Sequence, residues 1–514
     1  MTGGGRRAAA IIAFLPFLSA ACATESVNRA PAAPDKAWRP PSGDPRDFTL
    51  PAAPSLPAAP AETPKLETER TYGLPELIDV AESANPDTRI GWERARQAAL
   101  AVGIAKAAYL PTISALALGG YQHTFFPVSA VKDLVIPSPA GGPGLSFPVP
   151  PGTSGHVGVD TLTFLPFLAI RWQILDFGRG AGVDAAEQTS AAANVSFTAE
   201  HQKVVLEVSR AYFRLGAARA QTAVARDALE RTRAIAQAAD ARKARGLATT
   251  VQVTEARREV AQGEYNLAQA QAGETAVYTA LLSTMGVDPL LKLQITTQPS
   301  RELPAQLPLQ PDEYLRSALK TRPDLQAAVA LHAAAKAQVE KSEATFLPRM
   351  SIEATGGAAV FATKIGGGSF DSTTLPNVGA MVNFEWLLFD GGVRSAATQI
   401  ARSRQSEAAL TIVKLAHQTT QEVVAAYNEV NASLSRYQAA SQLEKTAAVA
   451  EDATDKSYAN GLSTLTDALA AEKARSLAAA AKEQAFSEAL ISATTLAFAS
   501  GQLGSAKAVP ALQQ

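Results

Sequence analysis

The chain repeats itself. Asn85-Pro86-Asp87 and Tyr109-Leu110-Pro111 return as Arg322-Pro323-Asp324 and Phe346-Leu347-Pro348, displaced by about 237 positions. Farther along, Ala211-Tyr212, Gly246-Leu247 and Met285-Gly286 return as Ala426-Tyr427, Gly461-Leu462 and Ser500-Gly501, displaced by about 215. A constant offset within each stretch is the mark of internal duplication, and the drop between the offsets places an insertion in the first copy between Tyr121 and Asp160. The 514 residues therefore read as one elongated body built from two similar halves rather than as several unrelated domains.

Each half combines a pair of alternating strands with very long helical patterns. In the first, a helical pattern from near Leu74 to about Ala108 stops at Pro111, which removes a donor and biases the preceding residue toward extended geometry. Ile113, Ala115 and Ala117 then alternate with Thr112, Ser114 and Leu116. A Pro/Gly-rich surface loop is expected from about His123 to Gly158. The return strand sets Leu162, Phe164, Leu168, Ile170, Trp172 and Ile174 against Thr161, Thr163, Arg171 and Gln173, with Pro166 as a point of distortion. In the second half Ile352 and Ala354 oppose Ser351, Glu353 and Thr355. There Val378, Ala380, Val382, Phe384, Trp386 and Leu388 oppose Gly379, Asn383 and Glu385. Strands of about ten residues with one greasy and one mostly polar face suit the wall of a membrane barrel. Four strands cannot close a barrel, for which about eight is the minimum. An open sheet edge cannot be satisfied by lipid, so the chain must pool its strands with copies of itself.

After each strand pair a Gly-rich turn (Asp176 to Gly180, and Asp390-Gly391-Gly392) begins a helical run of roughly 65 residues, about 100 Å long, ending near Arg245 and Asn460. Val204, Val208, Ala211, Leu215, Ala218, Thr222, Ala225 and Leu229 repeat at spacings of four and three, a coiled-coil seam of small residues. Val205, Leu206 and Tyr212 fall off the seam, so the helix has more than one contact face. In the second copy the register loses clarity, with Glu444 and Glu451 falling on it. The long helices turn at Gly246-Leu247-Ala248-Thr249 and Gly461-Leu462-Ser463-Thr464, where Gly can take the left-handed conformation. The Thr, or the preceding Ser, can cap the return helix. Val287 to Pro311 carries five prolines and reads as a linker that packs around the waist of a tube.

At the N-terminus Arg6 and Arg7 precede an apolar stretch too short to span a bilayer, as in an export signal. The single cysteine, Cys22, follows Leu18-Ser19-Ala20-Ala21, which looks like a lipoprotein cleavage site with Cys22 as the lipid attachment point. A plain signal cleaved near Ala21 or Ala23 is the alternative. The expected organisation is a signal over 1–22, a Pro/Ala-rich tether over 23–70, a first repeat over 71–290, a linker over 291–311, a second repeat over 312–504 and a tail over 505–514. No segment has eighteen uninterrupted apolar residues, which excludes helical membrane spans. With Lys+Arg 47 against Asp+Glu 48 and no basic block, nucleic-acid binding is not expected. Five His and one Cys build neither a metal cluster nor a disulfide framework. No catalytic constellation or phosphate-binding loop accompanies a pocket pattern, so neither enzyme chemistry nor a cofactor is expected.

The Asn-Pro-Asp and Arg-Pro-Asp helix starts, the Tyr/Phe-Leu-Pro strand starts, the Asp-x-Gly turns and the Gly-Leu-x-Thr turns, in the same order twice over from about Leu74 to Gly501, resemble the TolC-type outer-membrane efflux family. The resemblance implies an α+β membrane protein, a homotrimer whose four strands per chain make a twelve-stranded transmembrane β-barrel in outer-membrane lipid. A long α-helical coiled-coil barrel would continue it into the periplasm. It implies a conduit receiving substrate from an inner-membrane pump through a periplasmic membrane-fusion adaptor, closed at rest and dilating on engagement. By the same resemblance, Gly246, Leu247, Ala248 and Thr249 with Gly461, Leu462, Ser463 and Thr464 match the periplasmic tips at which adaptor hairpins dock. Asp467 matches one position of an acidic ring at the periplasmic gate, where carboxylates favour cations. The second acidic position is Ala470 here, and Glu255 in the first copy could supply charge instead. Drug efflux and type I protein secretion both fit this reading. A periplasmic coiled-coil scaffold is the rival of another class, one that leaves the strands and the export signal without a purpose.

Overall fold

The computed structural model describes residues 66–128, 133–136, 145–148, 155–297 and 301–503. The expected signal, Cys22, most of the tether and the tail over 505–514 lie outside the described residues. In chain order the elements are β1 (Thr71–Tyr72), α1 (Leu74–Ala84), α2 (Pro86–Ala107), β2 (Thr112–Val128), β3 (Asp133–Ile136), β4 (Leu145–Pro148), β5 (Gly155–Leu175), α3 (Gly178–Ala244) and α4 (Thr250–Met285). The second half continues with β6 (Gln294–Ile295), α5 (Pro311–Thr321), α6 (Pro323–Glu343), β7 (Arg349–Ile365), β8 (Asp371–Glu385), α7 (Val393–Ala459) and α8 (Leu465–Ala499).

The duplication seen in the sequence is a duplication of structure. Two helices, two strands, a 67-residue helix and a return helix occur twice in the same order. At 1.5 Å per residue α3 and α7 are each about 100 Å long. The helical pattern expected from near Leu74 to about Ala108 divides into two helices at the Asn-Pro-Asp start. Asn85 takes an extended conformation between them and its side chain accepts from the Asp87 amide at 2.7 Å. The Pro at the first helical position lacks the amide that would have carried α1 onward.

The sheet runs β2-β5-β7-β8 and is antiparallel throughout. Two sequence expectations change here. The loop expected over His123 to Gly158 is shorter, because β2 and β5 stay paired out to Val128 and Gly155, and β3 and β4 pair with each other inside it. The last strand ends at Glu385, so Trp386 and Leu388 lie beyond the ladder. Pro166 distorts one side only. Its register with Ala117 of β2 is unbroken, whereas Leu165 and Pro166 drop out of the ladder to β7. Gly357 of β7 sits against that point, where a Cβ would lie 2.3 Å from the Pro166 carbonyl oxygen. A proline without an amide and a facing residue without a side chain together let the backbones close up.

The junction between sheet and helices is built alike in both copies. The indole N–H of Trp172 donates to the Tyr109 carbonyl at 3.0 Å, and that of Trp386 to the Phe346 carbonyl at 3.0 Å. Arg179 lies over the Tyr109 ring at 4.6 Å and Arg394 over Phe346 at 4.9 Å. Asp176 and Asp390 accept from the amides of Gly178 and Gly392, which turns each strand into its long helix. Trp172 makes this contact from within β5, and Trp386 makes it one residue past the end of β8.

The core sits at the waist. Leu77 and Ile78 of α1 are fully buried against Val205, Val208 and Leu215 of α3 and Leu281, Leu282 and Met285 of α4; each such side chain contributes about 1.5–3 kcal/mol. The seam read from α3 is buried at Val204, Val208, Ala211, Leu215, Thr222 and Leu229, and the off-seam Val205, Leu206 and Tyr212 are buried too, giving the helix its second face. The linker wraps this core. β6 pairs in parallel with β1, Leu293 and Ile295 enter the cluster, Tyr212 donates to the Thr296 carbonyl at 2.7 Å, and Tyr437 donates to Arg301 at 2.5 Å.

Candidate functional site at the helical turns

The two long hairpins, α3–α4 and α7–α8, end in turns of identical design. Gly246 and Gly461 have φ of +74° and +77°, a region open to glycine at little cost. In the first turn the Gly246 amide donates to Lys243 and the Leu247 amide to Arg242, both at 2.9 Å. In the second, Gly461 donates to Tyr458 at 3.0 Å and Leu462 to Ser457 at 2.8 Å. This paired pattern closes the carbonyls at the end of a helix. The residue after the glycine normally folds its apolar side chain back onto the helix. Leu247 and Leu462 are instead 66% and 82% exposed, held in water at the extremity of each hairpin.

Thr249 and Thr464 cap the return helices. Thr249 accepts from the Gln252 amide at 3.2 Å while the Gln252 side chain accepts from the Thr249 amide at 2.8 Å. Thr464 does the same with Asp467 at 3.2 and 3.0 Å, and its hydroxyl also donates to that carboxylate at 2.6 Å. These reciprocal bonds satisfy donors otherwise left open at a helix start. Ser463 donates to the Thr454 carbonyl at 3.2 Å, and Ala248 is half-buried.

Asp467 and Glu255, the residues expected at a gate, sit just behind the turns. Asp467 is exposed, and the hydrogen bonds from the Thr464 side chain and then its backbone hold its carboxyl below the usual range. Glu255 is exposed on α4 with Arg258 at 3.2 Å, so part of its charge is answered within the same helix.

Two features escape a reading of local motifs. Arg242 ties the turns together: it lies over the Tyr458 ring at 4.9 Å and donates to the Tyr458 carbonyl at 2.6 Å. Behind it Ile235, Ala236, Ala239, Val253 and Ala256 of the first hairpin share one apolar cluster with Tyr458, Leu465 and Ala468 of the second.

The other feature is a buried charge cluster between the hairpins. Glu451 of α7 is 4% exposed and accepts from Arg475 of α8 at 2.5 Å and from Arg231 of α3 at 3.4 Å. Arg231 also pairs with Asp227. Glu472 of α8 is 7% exposed. Burial pushes its carboxyl up to about 7, with Arg231 opposing and Glu451 reinforcing the rise. Burial, and then the neighbouring Glu451, also raise Asp455, whose Oδ1 has no hydrogen-bond partner. The sequence did carry one signal for this cluster, the acidic residue at position 451 on a coiled-coil seam.

Among the described residues no helix is long and apolar enough to cross a membrane, and no group of His, Cys, Asp and Glu could hold a metal ion. The sheet is different: Ile113, Phe164, Leu168, Val378, Val382 and Phe384 project from one of its faces, each more than half exposed in the single chain.

Comparison with known proteins agrees with this architecture. The chain is 28% identical over 382 residues to protein CyaE of Bordetella pertussis, covering 71% of this chain and 70% of that one. Its structure resembles the outer-membrane channel OprN, with TM-score 0.66, 19% identity and coverage of 87% of this chain and 95% of that one. It also resembles the CmeC outer membrane channel of Campylobacter jejuni (TM-score 0.64, 19% identity, 83% and 85% coverage). For the outer membrane protein VceC of Vibrio cholerae the values are 0.62 and 23%, with 84% and 96% coverage. The family model for outer membrane efflux proteins matches residues 77–287 and 314–502. The chain thus belongs to the outer membrane efflux protein family, whose members are channels of the bacterial outer membrane with a periplasmic helical barrel, not enzymes.

Proposed function

We propose that three copies of the chain pool their sheets into one twelve-stranded barrel and their helices into one cylinder, forming the outer-membrane exit of a tripartite efflux system. Substrate would pass from an inner-membrane pump through a periplasmic adaptor into the cylinder and out through the barrel. The four-stranded sheet carries this reading. Its outer strands β2 and β8 are both open edges within one chain, and unsatisfied edges are not tolerated in lipid. One face presents the apolar residues named above, while the other carries Thr112, Arg171, Gln173, Ser351, Glu353 and Asn383, with Arg171 and Glu353 paired at 2.7 Å. A greasy face for lipid and a polar face for water suit a barrel around an aqueous lumen. At about 3.3 Å per residue, the 17 residues of β7 reach about 56 Å, enough to cross a bilayer core at a tilt.

In this reading the exposed Leu247 and Leu462 are the adaptor-docking anchors, held out by Gly246, Ala248 and Thr249 and by Gly461, Ser463 and Thr464. Asp467, with Glu255 as a weaker partner offset by Arg258, gives the periplasmic gate its acidic character. Cys22 would be the lipid anchor of the mature chain, and mass measurement of the mature N-terminus tests that. A photo-crosslinker placed at Leu247 or Leu462 in living cells should form its main product with a periplasmic adaptor anchored in the inner membrane. The same probe at Leu410, about a quarter of the way along α7 from its sheet end, should not. Equal capture from both places, or capture of cytosolic proteins alone, would reject this orientation.

A further inference from the structure

Glu472 stands about 12 Å along α8 from its Thr464 cap, eight residues at 1.5 Å each. It lies where α8 packs on α3. The groups facing it come from three helices: Asp227, Arg231 and Thr232 of α3, Glu451 of α7, and Arg475 of its own helix beside them. Asp455 of α7 adds a further carboxyl beside Glu451. Four carboxyl groups thus share two guanidinium groups. Glu451 takes a contact from each guanidinium, and Arg231 also serves Asp227. No full cation is left for Glu472.

The hydroxyl of Thr232 sharpens the point. It has one proton, and that proton lies on the Ala228 carbonyl at 2.9 Å. Its oxygen can still accept. A protonated Glu472 can donate to it without disturbing that bond, whereas a bond from the hydroxyl to the carboxylate favours the ionised form and offsets part of the effect of burial. An ionised Glu472 must draw the hydroxyl away from Ala228, and it adds a negative charge beside Glu451 in a place shielded from water.

We propose that Glu472 is a proton-operated latch between the two hairpins: with the proton on, α8 packs closely on α3, and with the proton off, this contact loosens above the turns. The direction follows from linkage. A carboxyl whose folded pKa is raised contributes its stability in full below its ordinary value of 4.5, loses it as pH rises through about 7, and changes nothing further above that. Among the described residues, Arg242 and the apolar cluster around Ala239 and Ala468 join the hairpins below this point, so loosening at Glu472 leaves the turns held by these contacts. The latch stands whether or not those turns dock a partner.

Hydrogen exchange of the full chain in detergent tests it, with rates corrected for the intrinsic effect of pH. Between about pH 5 and pH 8, segments 227–239 and 468–478 should open on the order of ten-fold more readily, while segment 281–285 at the waist stays constant. Glu472→Gln, an isosteric neutral side chain, should keep both segments protected at either pH. Glu444→Gln, which breaks the separate pair with Lys482, should respond like the parent. A parent protein with equal protection at both pH values would overturn the latch. So would a Glu472→Gln variant that retains the response, or a Glu444→Gln variant that loses it.

Discussion

Asn85 and Arg322 occupy the same place in the two copies, at the break between the first two helices, and both are 8% exposed. Asn85 caps α2 and donates from Nδ2 to the Thr284 carbonyl at 2.9 Å, which ties the helix start to the end of the return helix. Arg322 reaches the corresponding Ala499 carbonyl at 3.5 Å, holds Asp324 with two nitrogens at 3.1 and 2.6 Å, and meets Glu422 of α7 at 2.5 Å. One copy uses a neutral cap and the other a charged fork to make the same joint. The joint is therefore fixed by geometry, and the chemistry that fills it is free to differ. The glycines that face it agree. Gly286 and Gly501 have φ of +76° and +69° and end their helices with the same paired amide pattern as the turns.

The comparison can be broken most forcefully at those glycines. Gly286→Ala should cost about 3 kcal/mol, because φ is positive and the new Cβ would lie 2.8 Å from the Asn85 Cα. Gly501→Ala should cost about 2 kcal/mol, since its tightest neighbour is the Thr321 hydroxyl at 2.6 Å, which can rotate away. Denaturant unfolding of the two variants should rank them in that order, and equal losses would mean the joints are more alike than their contacts imply. Next comes the fork. Arg322→Ala should cost about 2 kcal/mol, a buried-pair value reduced because Glu422 is half exposed. Asn85→Ala should cost about 1 kcal/mol, the usual price of a lost cap. Added salt should narrow the gap between these two by weakening only the charged joint.

Smaller effects are expected at the sheet–helix junction and the turns. Trp172→Phe and Trp386→Phe each remove one indole donor and should cost about 1 kcal/mol apiece, with equal values for the two copies. The caps should differ in acid. Asp467 has a lowered carboxyl, so its contribution is complete above its ordinary range and fades as pH falls through the lowered value. Gln252 does not titrate. The first turn of α8 should therefore fray in acid while that of α4 does not, and exchange of the amides over 465–470 and 250–255 checks it. Asp467→Asn should abolish the difference.

How much of this was legible in the sequence depended on the range of the contact. The turns at Gly246 and Gly461 and their Thr caps were readable because glycine, cap and partner lie within a few residues of each other. The strands were readable where greasy and polar residues alternate. Their ends were not, because the Pro- and Gly-rich ends of β2 and β5 resemble loop until pairing holds them extended. The helix start at Asn85-Pro86-Asp87 was readable as a motif, but the broad helical pattern around it did not show that a first helix ends there. The ties between hairpins were out of reach, since Arg242 meets Tyr458 and Arg231 meets Glu451 across more than two hundred residues. What showed in the sequence was only a consequence of the second tie: an acid, Glu451, on the seam of α7 that no isolated coiled coil would choose.

The proposed function needs the edges of β2 and β8, open in one chain, to be completed by other copies. The mass of the intact protein released from membranes in mild detergent tests that most directly. Three chains to a particle is the result this account requires, stable until the detergent is made denaturing. A particle of one chain, or of two, would leave those edges open and contradict it.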